Sequence, residues 1–372
     1  MRAYVFTDAS LARYAGRFVW LSIEIDNPSS AKFISTFKSP GVPTFFVIDG
    51  KSETVSTRYV GGFTVASLKK FLDENGAKSQ DNELTHADRL ATEAKYGEAG
   101  KAYEEAMAKL AKKSLRYGRA AEGYIFSLSM TQADARCAER GLEIARDLAG
   151  TVSGANIASL ALDCEAGLKP EERNAERFAA LEKIVRANVT SKTLDLSGDD
   201  RSGYYISLIG AHDAMKDEAG GKALRQEWSA FLDREAAKAK TPEERSVYDA
   251  HRLTAYLELK EPAKTIPMLE LTARQFPKDY NPYSRLSAAY RAMKMWNEAI
   301  LYSKKAIALS EGPRRITNYN GLVTGYLGND DKAAAAATLK EAIAYADALP
   351  EGQRNANVIA SLKKKLDGIT PN

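Results

Sequence analysis

The sequence is poor in the residue types that build most metal and redox sites. Its 372 residues include two cysteines and three histidines. Cys137 and Cys164 have neither the spacing of a zinc site nor that of a redox C-x-x-C pair. His86, His212 and His251 are isolated from one another, and we expect them to be surface or packing residues. The sequence therefore predicts no metal site and no cofactor.

Long hydrophobic runs and clustered positive charge are also missing. No apolar run approaches the roughly 18 residues that a membrane-spanning helix needs, so we expect no membrane span. The net charge is +4, and the acidic and basic residues are interspersed. Nucleic-acid binding requires concentrated positive charge, so we expect no nucleic-acid partner. The sequence also lacks the phosphate-binding loop, the dinucleotide-binding fingerprint and the nucleophile elbow of common enzyme classes.

The most informative stretch is SPGVPTFFVID, residues 39–49. Val42-Pro43 is a candidate for a cis bond, because only X-Pro bonds adopt that form at a tolerable cost and they do so mostly in tight turns. The run at residues 44–48 is short, β-branched and aromatic, which is typical of a buried strand. A trans-proline that opens an ordinary strand is the alternative by proline frequency alone. The order of the neighbouring elements favours the cis form.

The residues around this stretch predict a small α/β domain. Turn residues, helix caps and hydrophobic periodicity set its elements. In chain order these are a short helix after Asp8, a strand over residues 18–26, a helix over 31–37, the strand after the proline, a strand over 56–60, the pair Gly61-Gly62 and a helix capped by Thr64.

This order resembles the C-terminal four-fifths of a thioredoxin fold, and residues 2–75 carry the resemblance. In that family a proline that follows a β-branched residue and precedes a threonine lies beside the redox dithiol and the bound substrate peptide. The resemblance implies that Val42, Pro43 and Thr44 bind a peptide. It also implies disulfide oxidoreductase or isomerase chemistry, for which this chain lacks the C-x-x-C pair.

The first residues bear on the missing dithiol. In the exported, DsbD-like branch of the family a methionine and a V-F-T-D-like segment follow the dithiol, and here Met1 precedes the segment VFTD at residues 5–8. We therefore expect a central strand and the dithiol to be encoded upstream, and an immediate in-frame stop codon there would contradict this. Without that strand the domain should be weakened, rearranged or dependent on a partner strand. The compartment is left open, because an export signal would also lie upstream.

From Leu84 onward helical periods replace strand patterns. Two stretches, near residues 80–112 and 280–312, share one spacing of aromatic and small residues. The matching positions are Tyr96, Glu98, Ala99, Tyr103 and Ala106 in the first stretch, and Tyr283, Leu286, Tyr290, Trp296, Glu298, Ala299 and Ala306 in the second. The spacing resembles tetratricopeptide repeats, in which small residues lie where two antiparallel helices touch. Residues 114–240 are interpreted as degenerate repeats, with one long loop over 190–203.

The predicted fold is thus a truncated thioredoxin-like α/β domain over residues 1–78, followed by a tetratricopeptide-like all-α solenoid over residues 79–372. Such an array presents a groove to a protein or peptide partner. The resemblance nominates Tyr283, Arg285 and Asn320 as groove residues, and ordinary surface positions are the alternative.

The two cysteines fall on consecutive predicted helices. Cys137 is near the start of one helix and Cys164 near the end of the next, so an antiparallel hairpin would place them at the same end. A disulfide then requires Cα atoms within roughly 7 Å. Two small buried thiols packed between helices are the alternative.

Two functions follow. The first is a thioredoxin-family protein, related to disulfide oxidoreductases but without their dithiol, that uses a repeat array to bind proteins. The second is a non-catalytic interaction scaffold or a chaperone-like peptide-binding module.

Overall fold

The computed structural model of the chain describes residues 1, 3–75 and 82–369. These residues form two strands, β1 Thr44–Ile48 and β2 Val55–Val60, and eighteen α-helices. The helices are α1 Ala31–Thr36, α2 Val65–Glu74, α3 Thr85–Thr92, α4 Tyr96–Lys109, α5 Leu115–Met130, α6 Asp134–Asp147, α7 Val152–Gly167, α8 Ala175–Thr190, α9 Gly198–Ala214, α10 Glu218–Lys238, α11 Pro242–Ser246, α12 Asp249–Glu258, α13 Ile266–Gln275, α14 Tyr280–Ala292, α15 Trp296–Leu309, α16 Gly312–Gly328, α17 Lys332–Asp347 and α18 Ala356–Ile369. Short 3-10 helices cover Ala9–Tyr14, Pro28–Ser30, Pro170–Glu172 and Pro262–Thr265.

The chain divides into two compact units. Unit 1 comprises Met1–Trp20 and Lys38–Trp228, and unit 2 comprises Leu21–Phe37 and Ser229–Asn372. The predicted domain boundary between residues 78 and 79 lies outside the described residues. Within the described ranges, no helix combines the length and the apolar character needed to cross a membrane.

The proline stretch forms the predicted turn and strand, but the strand is half-buried and not buried as predicted. The Val42–Pro43 bond is cis, and β1 follows it. β1 pairs with β2 in antiparallel register, with Phe45 opposite Tyr59. The ring of Phe45 lies 4.8 Å from that of Phe63, which stacks on Tyr59 at 4.2 Å. Apolar burial of these aromatic rings holds the hairpin against α2.

Helix α2 begins where the sequence predicts. The Thr64 hydroxyl accepts a hydrogen bond from the Ser67 N–H at 3.1 Å, and the Ser67 hydroxyl accepts one from the Thr64 N–H at 2.8 Å. This reciprocal capping box satisfies two amide groups that the first helical turn leaves without a partner.

Side chains of the first helices cover the outer edge of β2. Thr85 Oγ1 donates to the Ser56 carbonyl at 3.1 Å, and Arg89 Nε donates to the Val55 carbonyl at 2.9 Å. The backbone N–H of Arg58 donates to an Asp88 carboxylate oxygen at 3.0 Å. Since helical side chains already use these backbone groups, another strand cannot pair with this edge.

The predicted strand over residues 18–26 does not form. This stretch has no regular secondary structure and pairs with no strand in the described part of the chain. Val19 and Leu21 are 89% and 73% exposed. Gln353 Nε2 donates to the carbonyls of Ile25 and Asn27 at 2.8 and 2.9 Å. A side-chain amide within unit 2 therefore holds the end of this stretch, in place of a neighbouring strand.

This result corrects the predicted thioredoxin-like sheet. Among the described residues the sheet contains only β1 and β2, and Leu21–Phe37, including α1, belongs to unit 2. A strand forms only where a partner accepts its backbone hydrogen bonds. Residues 18–26 have strand-like composition but no such partner.

In the described part of the chain, six helical hairpins close with the same turn. In each, one residue with φ between 57° and 61° lies two positions before the second helix or its leading 3-10 turn. These residues are Ala94, Gln132, Lys216, Lys260, Lys294 and Asp330. The N–H of the following residue donates to the carbonyl five positions before it, for instance Met295 to Tyr290 at 2.9 Å. This bond defines the Schellman motif. The recurrence of one turn is consistent with a helical-repeat architecture.

Small residues lie where helices cross, as the repeat spacing predicts. Ala99 on α4 and Ala299 on α15 are fully buried, and so is Ala306. A side chain no larger than a methyl group lets two helix backbones approach closely. Neighbouring large residues such as Leu286 then fill the space between pairs.

The long loop predicted over residues 190–203 is shorter in the structure. Helix α8 ends at Thr190 and α9 begins at Gly198. The Ser197 hydroxyl accepts the Asp200 N–H at 3.1 Å, and an Asp200 oxygen accepts the Ser197 N–H at 2.8 Å. The prediction missed this capping box, which begins the helix inside the predicted loop.

Candidate functional site

A cavity of about 290 Å³ lies within unit 1. Its walls come from the end of β2 with Gly61 and Gly62, and from helices α3, α4, α5, α7 and α9. The charged and polar lining side chains are Arg58, Asp88, Tyr103, Arg119, Glu122, Asn156 and Asp200, and the apolar wall includes Phe126, Ile157 and Leu160.

Helical spacing places these side chains on common faces. Arg119, Glu122 and Phe126 are three and four residues apart on α5, and Asn156 and Leu160 are four apart on α7. Residues at these separations lie on one face of a helix. Each helix therefore presents both a polar group and an apolar side chain to the cavity.

Asp88 is the centre of a buried polar cluster. Its carboxylate accepts the Arg58 backbone N–H at 3.0 Å, Arg119 Nη2 at 3.1 Å and the Tyr103 hydroxyl at 2.6 Å. The Asp88 side chain is 2% exposed. Three donors thus compensate one carboxylate that has lost its hydration. Arg119 Nη2 also donates to the Arg58 carbonyl at 3.1 Å, which ties α5 to β2.

Burial changes the acid–base properties of this cavity. It raises the pKa of Asp88, against the opposing effects of Arg119 and Tyr103. It also raises the pKa of Glu122, where hydrogen bonds from Ser153 and Asn156 oppose the shift. The pKa of Tyr103 rises through burial and the neighbouring Asp88 charge, so this phenol stays protonated as a donor.

Arg58 has unused hydrogen-bonding capacity. It is 7% exposed, and its Nε and Nη2 atoms are shielded from solvent without a hydrogen-bond partner in the described part of the chain. Nε–H and Nη2–H lie on the same edge of the planar guanidinium, where they point in parallel. A buried donor without a partner costs about 1–3 kcal/mol. Sequence reasoning identifies Arg58 only as a strand residue.

The predicted peptide-binding residues lie beside the cavity. The Pro43 carbonyl accepts the N–H of Gly61 at 3.0 Å, and Gly61 lines the cavity. Val42 is 68% exposed, and the Thr44 hydroxyl donates to the Gly41 carbonyl at 2.6 Å. The structure therefore connects the cis-proline turn to the cavity wall through one hydrogen bond, while the three side chains are not part of the lining.

A disulfide bond joins Cys137 and Cys164. The two residues lie near the start of α6 and near the end of α7, their Cα atoms are 6.0 Å apart, and both side chains are buried. The bond links two antiparallel helices. Neither sulfur atom lines the cavity.

Each of the three groove residues predicted in unit 2 has a neighbour of its own within that unit. Tyr283 stacks on Tyr302 with ring centroids 6.4 Å apart. Burial lowers the pKa of the half-buried Arg285 guanidinium, against the charge of Asp249. Asn320 Oδ1 accepts a hydrogen bond from Lys365 Nζ at 2.8 Å. Tyr283 and Asn320 already have structural contacts within unit 2.

The sequence carried one usable signal for the cavity residues. Leu84, just before α3, forms a buried stripe with Ala87, Asp88 and Ala91 of that helix, and Asp88 is its charged member. A charge on an apolar stripe is rare unless it has a partner. The partner could not be inferred, because Arg119 lies 31 residues away. In the part of the chain that the structure describes, no cluster of three or more His, Cys, Asp or Glu residues could hold a metal ion.

No family model and no curated protein matches the chain. Among solved structures it is similar to BtubC (BKLC) from P. vanneervenii, at 15% identity and a TM-score of 0.41, over 64% of this chain and 93% of that chain. It is also similar to the APC/C hetero-tetramer Cut9–Hcn1, at 13% identity and a TM-score of 0.36, over 81% of this chain and 52% of that chain. At these values neither likeness assigns a family or a function.

Proposed function

We propose that the protein is a non-catalytic protein-interaction scaffold with tetratricopeptide-like repeats, and that it binds a peptide segment of its partner in the unit 1 cavity. The observation that carries this proposal is the convergence of consecutive helical hairpins. Residues on α3, α5, α7 and α9 line a single cavity. The second helices of these hairpins contribute only Tyr103 of α4 to the described lining. A shared face built from successive first helices is how stacked repeats create a binding surface.

The chemistry of the cavity suits peptide recognition. Glu122 and Asn156 offer polar groups, while Phe126 and Leu160 offer apolar contact. Binding pockets typically combine a mostly apolar wall with a few placed polar groups that orient the ligand. An extended peptide presents both kinds of group at each residue.

The proposal is tested by placing one charge on the proposed surface. Leu160→Lys adds a cation to the cavity wall, and Ile206→Lys adds the same cation at an exposed position on α9 that does not line the cavity. Partners crosslinked to the full chain in cells are compared by quantitative mass spectrometry. We expect a partner captured by the wild type to be lost with Leu160→Lys and retained with Ile206→Lys. Equal retention by both variants would refute the assigned surface, and an absence of any captured partner would refute the scaffold function.

A relation to the thioredoxin family is a second proposal. It is supported by the order Pro43, β1, β2, Gly61-Gly62, α2. The described residues do not form the strand that this relation predicts for residues 18–26. We propose that the chain has no dithiol activity, because neither cysteine belongs to a C-x-x-C pair and both lie outside the thioredoxin-like residues, on α6 and α7. An insulin-reduction assay should give no turnover, and turnover would contradict this account.

A peptide-binding role for Val42, Pro43 and Thr44 has its own test. Pro43→Ala should weaken capture of an extended peptide, whereas Pro40→Ala in the same loop should not. Equal binding by the two variants would remove the family resemblance as a guide to function.

The division into residues 1–78 and 79–372 is likewise proposed. Limited proteolysis with cleavage near residue 78 would support it.

A further inference from the structure

We propose that the unit 1 cavity binds the cationic side chain of a lysine or arginine in a partner peptide, with its charge between Glu122 and Asp200 and its aliphatic stem against Phe126 and Leu160. The inference rests on the proposed function in taking this cavity as the binding surface. It adds the chemical class of the group that enters the cavity.

The charged groups of the cavity wall are not balanced. Three carboxyl groups line it, those of Asp88, Glu122 and Asp200, against the two guanidinium groups of Arg58 and Arg119. Both guanidinium groups act on Asp88, and Arg119 pairs with it directly. With every group ionised, three negative and two positive charges leave one negative charge over. A single monovalent cation would balance it, because a partly buried charge is stable when it is paired.

Asp200 offers an accessible acceptor. Its Oδ2 atom accepts the N–H and the hydroxyl of Ser197, both at 2.8 Å. Its Oδ1 atom has no hydrogen-bond partner in the described part of the chain, and it is not shielded from solvent. The neighbouring Arg201 does not pair with it, because Arg201 Nη1 donates to the carbonyls of Asn188 and Val189. An ammonium or guanidinium group in the cavity would supply Oδ1 with a charged donor.

Glu122 is held in position by hydrogen bonds. This half-buried carboxyl bonds to Ser153 and Asn156. Asn156 Oδ1 accepts the Tyr204 hydroxyl at 2.7 Å, which leaves the amide N–H groups of Asn156 to donate to Glu122. Burial raises the pKa of Glu122, and the charge of Asp200 adds to the shift. A cation between the two carboxyl groups would offset this repulsion.

Aromatic and apolar side chains complete the wall. Tyr59 and Phe126 are half-buried lining residues. Burial raises the pKa of Tyr59, and the charges of Glu122 and Asp200 add to the shift, so this phenol stands near both carboxyl groups. The face of an aromatic ring attracts a cation. Leu160 extends the apolar wall along which a long cationic side chain lays its methylene stem.

The size of the cavity limits the ligand. A volume of about 290 Å³ lies at the lower end of the range of roughly 300–1,000 Å³ that is typical of ligand pockets. One long side chain of a peptide is of suitable size. The peptide backbone would then remain outside, on the surface formed by the first helices.

The test uses matched probes on the full chain. N-acetyl-lysine methylamide carries the ammonium group, and N-acetyl-norleucine methylamide has the same body without it. N-acetyl-arginine methylamide and its uncharged citrulline analogue make the same comparison for a guanidinium group. Isothermal titration calorimetry measures the four affinities. We expect at least one cationic probe to bind about tenfold or more tightly than its neutral analogue. Equal affinities within both pairs, or no binding of either cationic probe, would overturn the proposal.

Variants assign the contact to the cavity. Asp200→Asn keeps an oxygen that can cap α9 but removes the charge, and it should weaken binding of the cationic probe about tenfold. Asp147→Asn makes the same change at an exposed aspartate outside the cavity, so its affinity should be unchanged. Equal affinities of these two variants would refute the assigned carboxyl group. If Asp200→Asn does not fold, Glu122→Gln makes the same test at the second carboxyl, and the comparison of charged with neutral probes on the wild type still decides.

Two further probes identify the source of the cation. An acetylated tripeptide amide with the preferred basic residue between two alanines is compared with the matching free cation, n-butylammonium for lysine or n-propylguanidinium for arginine. Tighter binding of the tripeptide supports a peptide side chain, and equal or weaker binding would overturn that source in favour of a small amine. Cation binding without any captured partner would leave the cationic site standing and remove the scaffold function. Partner capture that is lost in Leu160→Lys but unaffected by Asp200→Asn would do the reverse.

Discussion

Replacing Asp88 with Asn tests whether the buried cluster holds β2 against the helices. The substitution keeps the shape of the side chain but removes its negative charge. That charge faces Arg119 and accepts hydrogen bonds from Arg58 N–H and Tyr103 O–H. Removal of one partner from a buried ion pair costs about 3–5 kcal/mol, because it leaves the other charge buried without compensation. We expect Asp88→Asn to lower the free energy that holds β2 against the helices by about 3–5 kcal/mol.

Hydrogen exchange of the Arg58 amide gives a local measurement. Its N–H donates directly to Asp88, so its exchange rate reports the opening of β2 from α3. A loss of about 3–5 kcal/mol corresponds to exchange that is faster by about two to nearly four powers of ten, at 1.36 kcal/mol per tenfold. This local probe avoids the assumption that a chain with two compact units unfolds in a single step.

Asp147→Asn is the matched control for Asp88→Asn. It breaks the pair between Asp147 and Lys112, whose atoms are 2.6 Å apart but whose side chains are 49% and 68% exposed. Water screens both charges of such an exposed pair, so little change is expected. If Asp88→Asn fails to fold, Tyr103→Phe removes a single donor and should cost about 1.5–3 kcal/mol. The reasoning fails if Asp88→Asn costs no more than the control.

Three further predictions concern other parts of the chain. Replacing both Cys137 and Cys164 with Ser should lower the free energy of unfolding of unit 1 by about 3.5 kcal/mol, because the disulfide closes a loop with a sequence separation of 27. After alkylation without reductant, the mass of the wild type should show no modified cysteine. Two modified cysteines would contradict the bond. Lys294→Gly should stabilise unit 2 by about 0.5–1 kcal/mol, because Gly adopts positive φ without steric cost. Its control, Lys340→Gly inside α17, should destabilise unit 2 by about 1 kcal/mol. Urea unfolding measures both variants, and destabilisation by Lys294→Gly would contradict the turn geometry. Burial raises the pKa of Glu122 above 4.5, so the protonated carboxyl favours the folded state, and stability should fall as pH rises from about 4.5 through the raised pKa. Glu122→Gln should remove this pH dependence. Identical pH profiles of unfolding for the wild type and Glu122→Gln would refute the shift.

Local sequence patterns predicted the local structure well. The cis bond at Val42–Pro43, the strand over 44–48 and the cap at Thr64 were all predicted from a few adjacent residues. Each depends on interactions within a short segment, such as a fixed proline φ or a side chain that reaches its own helix terminus. The repeat spacing likewise predicted the buried positions Ala99 and Ala299.

The repeated turns show where residue type was a poor guide. Positive φ is most favourable for glycine, yet the six hairpin turns use Ala, Gln, Lys and Asp. Helix packing on both sides of each turn sets this conformation. A sequence search for glycine therefore misses the hairpins of residues 114–240, which were predicted only as degenerate repeats.

Contacts between distant residues were decided by the tertiary structure alone. Residues 18–26 have the composition of a strand, but a strand requires a partner, and unit 2 holds the end of this stretch through Gln353. The cavity combines Arg58 from a strand with Asp88 and Arg119 from two helices. Burial and charge balance depend on which chain segments meet, so local pattern predicted the elements, and packing alone determined the site.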